Sequence, residues 1–291
     1  MKRLTGILLI AVSAASFGTL AIFGRYAYTE NIDTFTLLFL RFGFSAAFMT
    51  LMLILRKEPF PHGRILAQLI GMGGIGYAGQ SFLYLTAIKY ASAGLVALLL
   101  YLYPFFVAIL SMIFLKEKLT RTKAFALVLA LFGTALTVGP VSGQIIGAVM
   151  AIVAALGYSI YIIIGANVMK HVSALQSSVV IFTSAGAVYS ILTFANGIHL
   201  PQTNFGWMII AGIVIVSTII PVTAFLAGLE RIGPTNAAML STIEPIVTVL
   251  LATILFGDKL LPIVLLGGGL ILIAVMLLTR TELRSNDISG I

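Results

Sequence analysis

The sequence lacks cysteine entirely and has few charged residues for its 291 positions. Without cysteine the chain has no disulfide, no thiol nucleophile and no thiolate ligand for a metal. Charged side chains make up 9% of the residues, whereas soluble domains carry roughly a quarter. Because 60% of the residues are hydrophobic and the mean hydropathy is +1.14, the composition excludes a water-soluble globule.

Long apolar runs are the main feature of the sequence. A membrane-spanning helix needs about 20 mostly apolar residues. Ten such stretches run through residues 4–25, 35–55, 65–86, 93–115, 123–140, 144–168, 174–195, 206–228, 235–256 and 263–280. They are too long and too continuous for the strands of a membrane barrel. We therefore predict an all-α integral membrane protein with ten transmembrane helices.

The net charge of +8 arises from Lys and Arg in the segments that connect these stretches. If the N-terminus is cytoplasmic, the inner segments hold thirteen of the seventeen Lys and Arg residues, and the outer segments hold only Arg25, Lys89 and Lys259. This asymmetry follows the positive-inside rule. It predicts a multi-pass protein of the inner (plasma) membrane with both termini in the cytoplasm, and it explains the basic charge without a nucleic-acid partner.

The two halves of the chain resemble each other. With a shift of 141 residues, Gly71 aligns with Gly212, Pro104 with Pro245, and Glu117-Lys118-Leu119 with Asp258-Lys259-Leu260. Each half holds five predicted helices, and because five is odd, the halves have opposite orientations. We predict two inverted five-helix repeats, residues 1–140 and 143–281, and a cytoplasmic tail at 282–291. Inverted repeats recur in transporters, which place the substrate near the midplane between the repeats.

Four of the predicted helices carry short motifs: Phe17-Gly18, Leu40-Arg41-Phe42, Tyr103-Pro104 with Glu117-Lys118-Leu119, and Glu244-Pro245 with Asp258-Lys259-Leu260. In their order and spacing these motifs resemble those of the EamA branch of the drug/metabolite transporter superfamily. The chain departs from the family at Phe17, where Trp is frequent, and at Asp258, where Glu is frequent. The resemblance covers the whole chain. It implies ten helices in two repeats, with helices 5 and 10 outside the central cavity, and the export of small metabolites, often amino acids.

Glu244 is an acidic residue in the middle of an otherwise uncharged stretch, residues 235–256. A carboxyl group in hydrocarbon costs several kcal/mol unless it is paired, wetted or protonated, so such residues usually face a functional cavity. Ser241 and Thr248 lie at helical spacing on the same face. We predict that this face lines a transport pathway and that Glu244 binds a cationic group or a proton. The alternative is a carboxyl group that pairs with a neighbour and only orders the bundle.

Polar residues, most of them tyrosines, mark three other helices. They are Tyr77, Gln80, Ser81 and Tyr84 on helix 3, Tyr101 and Tyr103 on helix 4, and Tyr158 and Tyr161 on helix 6. Tyrosine and glutamine buried in a membrane need hydrogen-bond partners that lipid does not provide. Together they predict an aromatic wall of the substrate cavity, which would hold an ammonium group over a ring face. Hydrogen bonding between helices is the competing interpretation for each of them.

Arg41 and three prolines are the remaining candidates. Arg41 lies within helix 2, less than two turns from its outer end, and is predicted to be a gating or structural charge. It would pair with Glu244, bind a substrate carboxylate, or extend to the outer surface; a structural role is favoured. Pro104, Pro221 and Pro245 interrupt helical hydrogen bonding and predict helix bends.

These residues favour a secondary transporter that moves small metabolites by alternating access at the repeat interface, with export of amino acids or related amphiphilic solutes as the first choice. A multidrug or amine efflux permease is the alternative. A membrane-embedded lipid-modifying enzyme is a remote alternative, because His62, His171 and His199 lie singly in predicted loops. The sequence predicts no cofactor, metal or nucleotide. A single chain suffices to enclose a pathway, and proton coupling and facilitated diffusion both remain open.

Overall fold

The computed structural model describes residues 2–87, 90–91, 96, 99–137, 144–257 and 261–288. Its α-helices are α1 (Lys2–Gly18), α2 (Leu20–Thr29), α3 (Thr34–Leu55), α4 (Gly63–Gly71), α5 (Ala78–Ala87), α6 (Tyr103–Phe114), α7 (Arg121–Thr137), α8 (Ile145–Val168), α9 (Ala174–Asn196), α10 (Asn204–Val214), α11 (Ile220–Ile232), α12 (Pro234–Leu240), α13 (Glu244–Phe256) and α14 (Pro262–Ile288). The predicted repeat junction near Pro140 and the motif Asp258-Lys259-Leu260 lie outside the described residues.

Seven helical runs in the described part are long and apolar enough to cross a membrane. They are Arg3–Thr29, Thr34–Leu55, Ile145–Val168, Ala174–Asn196, Asn204–Ile232, Pro234–Phe256 and Pro262–Thr281. An all-helical integral membrane protein is therefore confirmed. The three other predicted spans contain the shorter helices α4 with α5, α6 and α7, and the ten-span arrangement stays a prediction.

Two helical runs of the bundle contain a π-helical segment. Met72–Tyr77 separates α4 from α5, and Ile215–Ile219 separates α10 from α11. Near the second segment, Pro221 has no N–H and therefore cannot donate the α-helical hydrogen bond to the carbonyl group of Ser217, four residues earlier. A short 3₁₀ turn, Ser241–Ile243, interrupts a third run between α12 and α13. Irregular turns of this kind are frequent at functional sites.

The three candidate prolines stand where helices restart. Pro104, Pro221 and Pro245 each occupy the first turn of an α-helix, namely α6, α11 and α13. Proline is tolerated at that position because the N–H it lacks would have no partner within the helix. In α11 and α13 the preceding turn is π-helical or 3₁₀.

The helices before residue 138 pack mainly against the helices after residue 143. The largest contacts join α1 to α11, α3 to α9, α5 to α8, and α7 to α14. Small residues permit close approach: a Cβ atom on Gly133 of α7 would lie 2.7 Å from the Gly267 carbonyl oxygen of α14. Such contacts replace the hydrophobic effect as the cause of helix association in lipid. The core therefore lies between the two halves of the chain.

The α3 helix begins with a carboxylate cap. Asp33 accepts hydrogen bonds from the backbone N–H groups of Phe35 (2.9 Å) and Thr36 (3.1 Å), and its other oxygen lies 3.2 Å from the Nδ1 atom of His199. Burial opposes ionisation, but these hydrogen bonds outweigh it and place the pKa of the Asp33 carboxyl below its usual value. The cap thus joins the start of α3 to the segment that follows α9.

Replacing this cap tests its contribution. We expect Asp33→Ala to lower the free energy of unfolding by about 1 kcal/mol, the usual cost of losing an N-cap, whereas Asp33→Asn retains the cap. Because the folded pKa is depressed, the stabilisation by the charge is present at neutral pH and is lost as the pH falls through that pKa. Thermal unfolding in detergent at several pH values measures both effects. A wild-type advantage over Asp33→Asn that grows on acidification would contradict this account.

Candidate functional site

Glu244 lies at a break in its transmembrane run. It occupies the first turn of α13, directly after the 3₁₀ turn, and its side chain is half-buried. The N-terminus of a helix carries partial positive charge and free N–H groups, which favour a carboxylate there. Among the described residues, no cation forms an ion pair with this carboxyl group.

Tyrosines surround this carboxyl group. The hydroxyl group of Tyr101 lies close enough to Glu244 for a side-chain hydrogen bond. Four more tyrosines interact electrostatically with the same carboxyl group: Tyr77, Tyr84, Tyr103 and Tyr158. The structure therefore brings together residues that the sequence predicted on four separate helices. We call Glu244 and these five tyrosines the carboxyl–tyrosine cluster.

Ring contacts order the cluster. Tyr77 stacks on Tyr161, with ring centroids 5.8 Å apart, and Tyr161 stacks on Tyr158 at the same separation. Tyr158 in turn meets the edge of Tyr103 at 4.9 Å. Aromatic pairs at these separations stabilise a structure beyond the area they bury. The result is a continuous aromatic wall that runs from the π-helical segment Met72–Tyr77, across α8, to α6.

The other predicted site residues lie in different surroundings. Ser241 is buried, donates to the Ala237 carbonyl at 2.9 Å and also lies beside Tyr103. Thr248 donates to the Gly18 carbonyl at 2.9 Å, so it joins α13 to α1. Ser81 lies beside Tyr189 of α9. Gln80 is half-buried.

Arg41 is buried within the bundle and does not extend to the surface, because only 5% of it is exposed. Its Nε atom donates to the Thr218 hydroxyl at 2.7 Å, and its Nη2 atom donates to the Tyr77 hydroxyl at 3.0 Å. Nη2 also lies 3.5 Å from the Ser217 carbonyl oxygen, to which Pro221 cannot donate an α-helical hydrogen bond. No ion pair in the described part of the chain joins Arg41 to Glu244. Arg41 therefore connects the two π-helical segments.

Sequence reasoning missed three residues of this network. Ser217 and Thr218 belong to the second π-helical segment, and Tyr189 interacts electrostatically with Arg41. Tyr189 also stacks on Phe42 and donates to the Ala78 carbonyl at 2.9 Å. The available signal for Ser217 and Thr218 was the proline that follows them, since it frees a carbonyl group that needs a donor.

The chain belongs to the EamA-like transporter family, whose sequence profile matches residues 4–139 and again residues 145–280. It is 23% identical over 278 residues to the uncharacterized transporter YcbK of Bacillus subtilis strain 168, covering 91% of this chain and 89% of that protein. It is 29% identical over 278 residues to an uncharacterized transporter of Archaeoglobus fulgidus, covering 93% and 95%. A solved crystal structure shares its fold, with a TM-score of 0.83 and 18% identity over 97% of this chain and 99% of the other. These similarities confirm the resemblance predicted from the motifs.

Close packing at Gly18 positions Glu244. A Cβ atom on Gly18 would lie 2.9 Å from the Glu244 carbonyl oxygen and 2.9 Å from the Val247 side chain, both too close. We expect Gly18→Ala to displace α1 from α13 and to destabilise the protein by about 1–3 kcal/mol, the usual range for overpacking.

Gly24→Ala is the matched control, because nothing lies within 4 Å of a Cβ atom at that position. Apparent melting temperatures in detergent measure the difference between the two variants. If they melt together, α1 and α13 are not in close contact at Glu244.

Proposed function

We propose that this protein is a secondary transporter of small amine-bearing metabolites, with export of amino acids or related amphiphilic solutes as the main activity. The observation that carries the proposal is a carboxyl group inside a membrane bundle with no cation paired to it among the described residues and with five tyrosines around it. Ionisable residues in such positions mark substrate or ion pathways. The names of its relatives support transport.

The helix contacts support alternating access between two inverted repeats. Residues 4–139 and 145–280 each match the family profile. Exchanging the halves by the observed shift turns the α1–α11 contact into the α8–α5 contact and leaves the α3–α9 and α7–α14 contacts unchanged. This is the pattern expected of a pseudo-two-fold axis. Movement of one repeat against the other would then expose the carboxyl–tyrosine cluster to each side of the membrane in turn.

The chemistry of the cluster supports a substrate with a cationic nitrogen. A carboxylate pairs with an ammonium group, and tyrosine ring faces attract cations. Multiply phosphorylated substrates need several cationic groups, and the cluster contains none. An amine or multidrug efflux permease is the second candidate, and the aromatic wall favours it because hydrophobic amines also match such a surface. A membrane-embedded enzyme finds no comparable support in the names of the relatives.

The remaining features of the proposal concern topology and coupling. The positive-inside asymmetry supports an inner-membrane location with both termini in the cytoplasm. Glu244 is the group that would exchange a substrate cation for a proton if transport is proton-coupled. A single chain contains both repeats, which supports a monomer as the working unit.

Glu244→Gln tests the proposal directly. We expect saturable uptake of labelled amino acids into proteoliposomes by wild-type protein. The variant should lose about tenfold to 100-fold in kcat/KM, because a hydrogen bond to a charged group contributes about 1.5–3 kcal/mol and 1.4 kcal/mol corresponds to tenfold. Measuring flux with and without an imposed pH gradient separates proton exchange from facilitated diffusion.

The control is Glu230→Gln, which removes an exposed carboxylate near the end of α11. It should leave transport unchanged. Normal flux through a folded Glu244→Gln variant at every pH would refute the role of Glu244. Absence of flux for both amino acids and amines in folded wild-type protein would refute the proposed function.

A further inference from the structure

Tyr77 interacts with two charged side chains of opposite sign, the buried Arg41 and the half-buried Glu244. Its hydroxyl accepts a hydrogen bond from Arg41 at 3.0 Å, and the same side chain interacts electrostatically with Glu244. Only 5% of Tyr77 and 5% of Arg41 is exposed. The two charges form no ion pair with each other, and in the described part of the chain each also lacks any other oppositely charged partner. Tyr77 therefore interacts with both the Arg41 guanidinium and the Glu244 carboxyl group.

The hydrogen bonds leave one proton of this network available. The Thr218 hydroxyl accepts a hydrogen bond from Arg41 and donates one to the Ile213 carbonyl oxygen at 2.8 Å. Tyr77 also accepts from Arg41, but no described group accepts the hydroxyl proton of Tyr77. A phenol has one proton to donate. Since the Arg41 charge withdraws electron density from the oxygen, that proton is a strengthened donor.

A substrate that carries only an ammonium group would complement half of this arrangement. It would neutralise Glu244 and leave the buried positive charge of Arg41 without a counter-charge. An unpaired charge in a low-dielectric interior is costly. A zwitterion complements both charges. Its carboxylate accepts a hydrogen bond from the Tyr77 hydroxyl on the Arg41 side, while its ammonium group faces Glu244.

We propose that Tyr77, held and polarised by Arg41, is the hydrogen-bond donor to the carboxylate of a zwitterionic amino acid whose ammonium group is bound by Glu244. Tyr77 is then a specificity-determining residue and Arg41 a positioning residue that acts through it. The inference rests on the proposed function and assigns the residue that would distinguish an amino acid from an amine without a carboxylate.

The test compares phenylalanine with phenethylamine, the same molecule without its carboxylate. KM and kcat are measured for both probes in proteoliposomes with wild type, Tyr77→Phe, Arg41→Lys and Tyr26→Phe. Tyr77→Phe keeps the ring that stacks on Tyr161 and removes the hydroxyl group, both as the proposed donor and as the acceptor of the Arg41 hydrogen bond. Tyr26→Phe is the control, because Tyr26 packs against Phe205 and Phe256, neither of which belongs to the cluster.

We expect wild type to prefer phenylalanine by tenfold or more in kcat/KM. Tyr77→Phe should raise the KM for phenylalanine about tenfold and change that for phenethylamine by less than about twofold, in keeping with a lost hydrogen bond to a charged group. Arg41→Lys should keep part of the preference, because it retains the charge but not the geometry. Tyr26→Phe should keep all of it.

Equal losses for both probes in Tyr77→Phe would overturn the inference and leave the proposed function intact, since the residue would then serve packing alone. Wild-type protein that transports phenethylamine as well as phenylalanine would also overturn it and would leave an amine permease. Wild-type protein that transports neither probe, nor any other amino acid or amine, would overturn the proposed function itself. If Tyr77→Phe does not fold, competition of phenylalanine, phenylalaninamide and phenethylamine on wild type decides: an order of potency that does not follow the carboxylate contradicts the inference.

Discussion

The arrangement of this protein depends on the cost of keeping a carboxyl group inside a membrane bundle. Hydrocarbon offers a carboxyl group no hydrogen-bond partner, so the protein must provide polar surroundings. The Tyr101 hydroxyl provides a hydrogen bond to Glu244, and four further tyrosines interact electrostatically with its carboxyl group. An ion pair with a protein cation would also stabilise the carboxylate, but the described residues form none with Glu244. In the proposed function, this carboxyl group binds the cationic nitrogen of the substrate.

The irregular helical turns and the cluster belong to one network. Tyr77 ends the first π-helical segment, Thr218 lies in the second, and Arg41 bonds to both. Each segment comes from a different family-matched half of the chain. Thus a side chain that belongs to the carboxyl–tyrosine cluster also takes part in the contact between the halves. A ligand that binds to the cluster through Tyr77 would therefore act directly on the Arg41 contact between the two halves.

Helix type and the residues of the cluster were accessible from the sequence, because hydropathy and helical spacing act locally. Glu244 and its five tyrosines were predicted from charge, aromatic content and the internal shift, and the structure brings them together. Two aspects were not accessible. Arg41 was expected to pair with Glu244, to bind a substrate carboxylate or to extend to the outer surface, with a structural role favoured. Its partner Thr218 lies in a π-helical segment of the other half, a contact that helical spacing does not predict. Thr248 shares a helical face with Glu244, yet its hydroxyl donates a hydrogen bond to the Gly18 carbonyl of α1. The distance between helices, and not the spacing along one helix, decides which small polar residues bond to a neighbouring helix.

The most direct measurement is a structure of the protein with a bound amino acid, or with a heavy-atom analogue of one, in lipid nanodiscs. The account predicts that the ligand nitrogen lies within hydrogen-bonding distance of the Glu244 carboxylate and against the rings of the cluster. A ligand bound elsewhere in the bundle, with Glu244 paired to a protein cation, would contradict the account.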